Sequence, residues 1–255
     1  IMEGQGLDKA KATYGELMEA FVAVKDVVER ENIACHYKQQ GRLLLATSTK
    51  RYDDMAREFG LREQHLGEPF QTVSRVEQRE EIATDHYFGG VRIPDHAGLH
   101  PGLYHQGLLD AARAAGVTIC AFTPVYGFRK EAEGFTVFAK GAKVAARDLV
   151  FATNGYGGRE FPWLRRRIMP FHAYQAVTAP MSENRVRSLL PGDRTFIDWN
   201  FNVDWMRIAP GDNTRLQFGG LTGEVDADLR IMAERLQQRL VRIFPDMEGI
   251  QFDNV

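Results

Sequence analysis

Two short stretches carry residue types spaced for binding chemistry. In "DWMRIAP" (Asp204 to Pro210), strand alternation puts Trp205 and Arg207 on one face and Met206 on the other. An arginine and a tryptophan sharing a face point to a cavity; the competing reading is a surface strand whose arginine is solvated. In "LVFATNGYGG", the apolar run Leu149 to Ala152 stops at Thr153-Asn154-Gly155. Buried strands of parallel sheets read as such runs, and ligands of those sheets sit beyond the strands' carboxyl ends. A small polar residue followed by glycine lets the backbone approach a bulky ligand. The alternative is that Asn154-Gly155 is only a tight turn.

Further candidates are less specific. In "FHAYQAVTAP", alternation places His172, Tyr174 and Ala176 on one face, where His172 or Tyr174 would line a pocket or sit half-exposed on a sheet. Arg165-Arg166-Arg167 reads as a solvated loop, with a phosphate or acidic partner as the alternative. His100, before Pro101, reads as a helix-opening residue. There is no Ser/His/Asp or Cys/His constellation. The seven histidines lack paired helical spacing and neither Cys35 nor Cys120 has a CxxC partner, so no metal site is expected.

The elements that must hold these residues follow from periodicity and punctuation. Leu17, Phe21, Val24 and Val28 recur at helical spacing over Asp8 to Arg30. A strand is predicted over Arg42 to Ala46, then a helix from Thr49 to Phe59 closed by Gly60. Ser74 with Glu77 forms a capping box for a short helix. Pro101 opens a helix with Leu108, Leu109, Ala112 and Ala115 on its apolar side; Gly116 ends it, and a strand Val117 to Phe122 completes an αβ unit. Three short strands follow, turning at Gly134 and Gly141, the last carrying Leu149 to Ala152. After Pro170, four strands with short turns predict an antiparallel sheet. A closing helix spans about Asp226 to Ile243, with Leu229, Met232, Leu236, Leu240 and Ile243 as its buried stripe. The fold class is α+β.

Bulk properties exclude several functions. The chain has 255 residues, 44% hydrophobic and 26% charged, ordinary for a globular protein. A net charge of −2 gives no electrostatic case for nucleic acid or an acidic membrane. No apolar stretch approaches a membrane span. Two cysteines and no secretory-looking leader predict a reducing, cytoplasmic setting. The start at Ile1 and the strand-like run "IQFDNV" at the other end predict a segment of a longer protein.

Taken in order, "GLHPGLYHQGLLDAARAAGVTI", "TPVYGF", "GFTVFAKGAKVAARDLVFATNGYGG", "RRRIMPFHAYQAVTAPM" and "VDWMRIAPGDNTRLQFGG" resemble the FAD-dependent oxidoreductases of the D-amino acid oxidase type. The branch is that of glycine, sarcosine and gamma-glutamylputrescine oxidases, and the resemblance runs from the first helix to Val255. It implies an FAD/NAD(P)-binding-like α/β part and an antiparallel substrate part. The expected division is 1–48 and 49–100 for the cap region and its connection, 101–160 for part of the FAD-binding domain, and 161–255 for the substrate-binding domain. The G-x-G-x-x-G turn that cradles the FAD pyrophosphate at a helix N-terminus does not occur in this sequence.

The resemblance also assigns roles. Thr153, Asn154 and Gly155 would leave backbone and room beside the nucleotide. Val125 would offer main-chain groups to the adenine edge, with an ordinary core position at a strand end as the alternative. Arg207 would fork onto a substrate carboxylate beside Trp205, although the turn "IAPGDNT" is longer than the family pattern. Tyr174 or His172 would face the amine end. No catalytic acid or base is implied, because FAD carries the hydride chemistry. The substrate would be an amine or amino acid, and the electron acceptor oxygen or a carrier. A non-catalytic binding module is the alternative of a different class, supported by the missing phosphate motif; a nicotinamide-dependent dehydrogenase is weaker still.

Overall fold

The computed structural model describes residues 2–223 and 228–254. The chain forms two compact units, Ile1–Ala111 together with His172–Val255, and Ala112–Phe171.

The larger unit begins with α1 (Met2–Gln5) and α2 (Leu7–Arg30). The apolar stripe of α2 grades from exposed Leu17, through half-buried Phe21 and Val24, to buried Val28, which packs with Ile33 and Cys35. Strands β1 (Lys38–Gln39) and β2 (Arg42–Leu45) follow. The Ser48 hydroxyl then accepts the Arg51 N–H and starts α3 (Thr49–Leu66). This helix does not stop at Gly60. One glycine costs about 1 kcal/mol inside a helix, and the run "LREQHL" of mostly good helix formers carries it on to Gly67, whose φ of 73° ends it. After β3 (Gln71–Val73), Ser74 and Glu77 exchange both bonds of a capping box, Glu77 Oε2 accepting the Ser74 N–H at 2.8 Å and Ser74 Oγ the Glu77 N–H at 3.3 Å. The turn they cap is a 3-10 helix, Glu77–Glu80. Strands β4 (Gly90–Ile93) and β5 (Ala97–Gly98) lead to α4 (Pro101–Ala114), which buries no residue fully and leaves Leu108 exposed.

The smaller unit is an antiparallel meander of β6 (Val125–Lys130), β7 (Phe135–Ala139) and β8 (Ala142–Ala146), turning at Gly134 and Gly141 with φ of 91° and 74°. Phe128, Phe151 and Phe161 meet as a ring cluster, and α5 (Pro162–Arg165) follows. The strands expected over Val117 to Phe122 and Leu149 to Ala152 do not form. A strand needs a partner for its N–H and C=O groups, and neither segment has one among the described residues. Phe122 and Val150 are instead 99% and 84% exposed.

The chain then returns to the larger unit with β9 (Tyr174–Thr178), α6 (Glu183–Leu189), β10 (Thr195–Asp198), β11 (Trp205–Ala209), β12 (Asp212–Gly220), α7 (Leu229–Ile243) and β13 (Phe252–Asn254). The expected start of the last helix at Asp226 lies outside the described residues, as does Val255. Met232, Leu236, Leu240 and Ile243 form the buried stripe of α7, while Leu229, in its first turn, stays exposed.

An eight-stranded sheet runs β13-β9-β12-β11-β10-β2-β4-β3. Its neighbours are antiparallel except β10 and β2, which lie parallel with Thr195 opposite Arg42. Register then fixes two faces. Leu43, Phe196, Met206, Phe218 and Ala176 share one, packed in a single core with α6 and α7. Arg42, Leu44, Thr195, Ile197, Trp205, Arg207, Gln217 and Gly219 share the other, and Met55 and Phe59 of α3 cover only its Leu44–Val91 end.

A buried charge network ties the β10–β11 connection to α7. The Asp204 N–H donates to Asp198 Oδ1 at 2.9 Å, and Arg239 donates its Nε to Asp204 Oδ1 at 2.6 Å and its Nη2 to the Asn202 carbonyl at 2.9 Å. Burial, reinforced by the Asp204 charge, pushes the Asp198 carboxyl up to about 6.

Candidate functional site

The open part of the sheet face is a trough of about 440 Å³, a size suited to a small molecule. Its floor is Trp205. Trp205 pairs with Gly219 across the strands, and a Cβ on Gly219 would fall inside the van der Waals envelope of the indole atoms Cε2, Cζ2 and Nε1. The glycine is therefore what lets the ring lie down on the sheet. Gly219→Ala is expected to lift the indole and cost about 1–3 kcal/mol through overpacking. Urea unfolding gives the loss, and a shifted tryptophan emission the ring displacement; an unchanged emission would mean that the neighbouring strand absorbs the methyl.

Arg207 stands beside that floor, half-buried. It pairs with Gln217 on β12, and its Nε donates to Gln217 Oε1 at 2.5 Å. The bond uses the inner N–H and leaves the outer edge of the guanidinium for something else. Close packing against Gly98 of β5 sets one rim, since a Cβ there would lie 3.2 Å from Arg207 Nη1. Burial lowers the arginine's pKa from its ordinary value, yet a guanidinium stays charged at any working pH.

Two further residues that the sequence reading did not single out, Arg42 and His96, line the trough. Arg42 of β2 lies opposite Thr195, and burial lowers its pKa too. Among the described residues its side chain has neither a hydrogen bond nor an ion pair. His96 is drawn down to about 4 by burial and then by the Arg42 charge, so it is neutral at physiological pH. Among the described residues no Asp or Glu lines the trough. Arg42 opens the strand expected over Arg42 to Ala46, and alternation alone left its face unassigned.

The other expected residues fall elsewhere. Tyr174 pairs with Gly220 and lies against the core, on the face opposite Trp205 and Arg207; the register of β9 on β12 brings Gln175 to the trough face instead. His172 precedes β9, exposed, with its carbonyl accepting the Gly223 N–H at 2.9 Å. Val125 opens β6 opposite Ala139 with a 41% exposed side chain. Thr153, Asn154 and Gly155 are exposed in a 3-10 turn closed by the Tyr156 N–H on the Thr153 carbonyl at 2.9 Å. Asn154 has φ of 49°, and a Cβ on Gly155 would meet only Pro170, at 3.8 Å. The turn reading is thus geometrically present, and accessible backbone comes with it. These four residues belong to the smaller unit and the trough to the larger. No G-x-G-x-x-G turn, the glycine-rich helix start that holds a pyrophosphate, occurs in this sequence.

Among the described residues no group of three or more His, Cys, Asp or Glu could hold a metal ion, and no helix is long and apolar enough to cross a membrane.

Comparison with known proteins gives consistent relatives. The profile of the family described as DAO, FAD dependent oxidoreductase, matches residues 4–253. Gamma-glutamylputrescine oxidoreductase of Escherichia coli (strain K12) is 28% identical over 258 residues, covering 99% of this chain and 59% of that protein. Glycine oxidase of Geobacillus kaustophilus (strain HTA426) is 24% identical over 235 residues, covering 89% of this chain and 59% of that protein. Among solved structures, glycine oxidase from Geobacillus kaustophilus superposes with a TM-score of 0.71 at 22% identity, over 94% of this chain and 63% of that one. L-proline dehydrogenase from P. horikoshii gives 0.71 at 16%, over 92% and 63%. The structural likenesses establish the fold, and the chain spans about three fifths of the length of these relatives.

Proposed function

The chain belongs to the DAO family of FAD-dependent oxidoreductases, and from that premise we propose that it binds the substrate in the oxidation of an amine or amino acid at its C–N bond. The observation that carries this reading is the trough: an arginine with its outer edge uncommitted, over an indole floor, with no carboxylate in the lining among the described residues.

Arg207 takes the substrate carboxylate through its outer edge, which suits a planar bidentate contact. Gln217 fixes the fork by holding Nε, so little is lost in ordering the guanidinium. Trp205 supports the substrate's carbon skeleton and excludes water from that side. Backbone at Val125 and at Thr153, Asn154 and Gly155 borders the nucleotide. FAD, when bound, supplies the hydride acceptor. That chemistry would take an amine or amino acid to an imine, which water would hydrolyse. No side-chain acid or base is assigned, and the protein's contribution is orientation. Tyr174 leaves the pocket on the geometry above, and His172 has no placement in it. The names of the relatives, a glycine oxidase and a gamma-glutamylputrescine oxidoreductase, agree with this substrate class. Two cysteines without a disulfide agree with a reducing cytoplasmic setting.

The test is anaerobic titration of the protein purified with FAD against a panel of amines and amino acids. Loss of the flavin's visible absorbance with at least one amino acid is expected. Absorbance unchanged by the whole panel would overturn the reading. Recovery on admitting air, or only with an added electron carrier, then separates oxidase from dehydrogenase.

A further inference from the structure

We infer that the trough holds a second anionic group of the substrate at Arg42, so that the preferred substrate is an amino acid or amine carrying two carboxylates. This rests on the reading of Arg207 above and extends it.

Three observations converge on Arg42. First, β2 and β11 lie on either side of β10, so their backbones are two strand spacings, roughly 10 Å, apart. Register puts Arg42 and Arg207 on the same face with Thr195 on the strand between them. Second, the two guanidinium groups share one cavity with no acidic side chain in its lining among the described residues, where the Arg42 side chain also has no hydrogen-bond or ion-pair partner. A half-buried guanidinium without a counter-charge is costly unless something supplies one. Its half-buried neighbour His96 is neutral and cannot do so. Third, the hydroxyl oxygen of Thr195, on the strand between the two arginines, is buried and has no hydrogen-bond partner among the described residues. Buried polar atoms are normally satisfied, and a hydroxyl between two cations is a ready donor to an anion that both of them attract.

One carboxylate on Arg207 and a second on Arg42, joined by a short carbon chain passing Thr195, would satisfy all three groups together. Beyond Arg42 the space does not close. Arg42, His96 and Ile197 also line a second cavity of about 670 Å³ under α3, whose lining includes Glu68, Asp95 and Asp198, so the acidic substrate is held on the trough side of Arg42.

The test is calorimetric binding of glutarate and of butyrate, a dicarboxylate and the monocarboxylate left when one of its carboxylates is replaced by hydrogen, to the wild-type protein and to Arg42→Gln, Arg42→Lys and Arg207→Met. Glutarate is expected to bind the wild type about tenfold tighter or more, the scale of one charge-assisted contact. Arg42→Gln should remove that preference while leaving butyrate unchanged, and Arg42→Lys should retain part of it. Arg207→Met should weaken both ligands. A glutarate preference that survives Arg42→Gln, or is absent from the wild type while Arg207→Met still weakens butyrate, overturns the Arg42 site and leaves the Arg207 reading standing. Failure of both ligands to bind the wild type, or butyrate binding unaffected by Arg207→Met, overturns the two together.

Discussion

Replacing Arg207 with methionine is expected to weaken amino acid substrates about ten- to a hundred-fold, with amines that lack a carboxylate nearly unaffected. The magnitude follows from losing one charge-assisted contact of roughly 1.5–3 kcal/mol. The selectivity follows from the geometry. Arg207 is held by a neutral partner, Gln217, and makes no ion pair among the described residues, so its removal strips charge from the trough without freeing a carboxylate there. Methionine keeps much of the aliphatic stem while losing the guanidinium edge that packs beside Gly98. Arg207→Lys keeps the charge but loses both the fork and the Nε contact to Gln217, so it should lie nearer to the methionine variant than to wild type. Steady-state kinetics with pairs of substrates differing only in the carboxylate provide the measurement. Equal losses for both members of a pair would assign Arg207 a structural role, and no loss for either would make it a solvated residue.

Arg239→Met should be the most damaging single change to stability, about 3–5 kcal/mol at neutral pH, the usual cost of removing one partner of a buried ion pair. Asp198 and Asp204 are only 4% and 6% exposed, and Arg239 is the cation bonded to Asp204. Without it two buried carboxyls face each other. Burial already raises both from the ordinary carboxylate value. A carboxyl whose folded pKa is raised favours the folded state below its unfolded value near 4, and that contribution is lost as pH rises through the folded value. The variant's deficit should therefore shrink as pH falls from about 6, where Asp198 ionises with Arg239 present, toward 4, and level off only above the higher values both carboxyls take without the Arg239 charge. Urea unfolding at both ends of that window distinguishes the cause: a deficit independent of pH would mean lost packing around the arginine stem.

What the sequence made legible was whatever depends on near neighbours. Ser74 and Glu77 form their capping box because its bonds span three positions, and Trp205 and Arg207 share a face because strand alternation is local. What it hid depends on partners distant in the chain. Tyr174 and Ala176 do share a face as expected, but register against Phe218 and Gly220 decides that it is the core face. Arg42 becomes a candidate only when Thr195 places it next to β11's side of the sheet. Leu149 to Ala152 has the composition of a strand without the hydrogen-bonding partner that would make it one. Gly60 reads as a stop, yet the apolar contacts of Met55 and Phe59 and the residues after it keep α3 going to Gly67.

The parallel seam between β2 and β10 has a kinetic side. β2 pairs early with β4, which is close in sequence, but its other edge waits for Thr195–Asp198, and the whole Ala112–Phe171 unit is synthesised in between. Pairing over so long a loop must meet its closure entropy before any contact rewards it, which makes the seam a late and slow event. Until then an apolar strand, Leu43-Leu44-Leu45, presents an open edge, the kind of template on which nascent chains aggregate. Arg42 at the start of that strand then has a second use, as a charge that discourages another chain from docking there before β10 arrives.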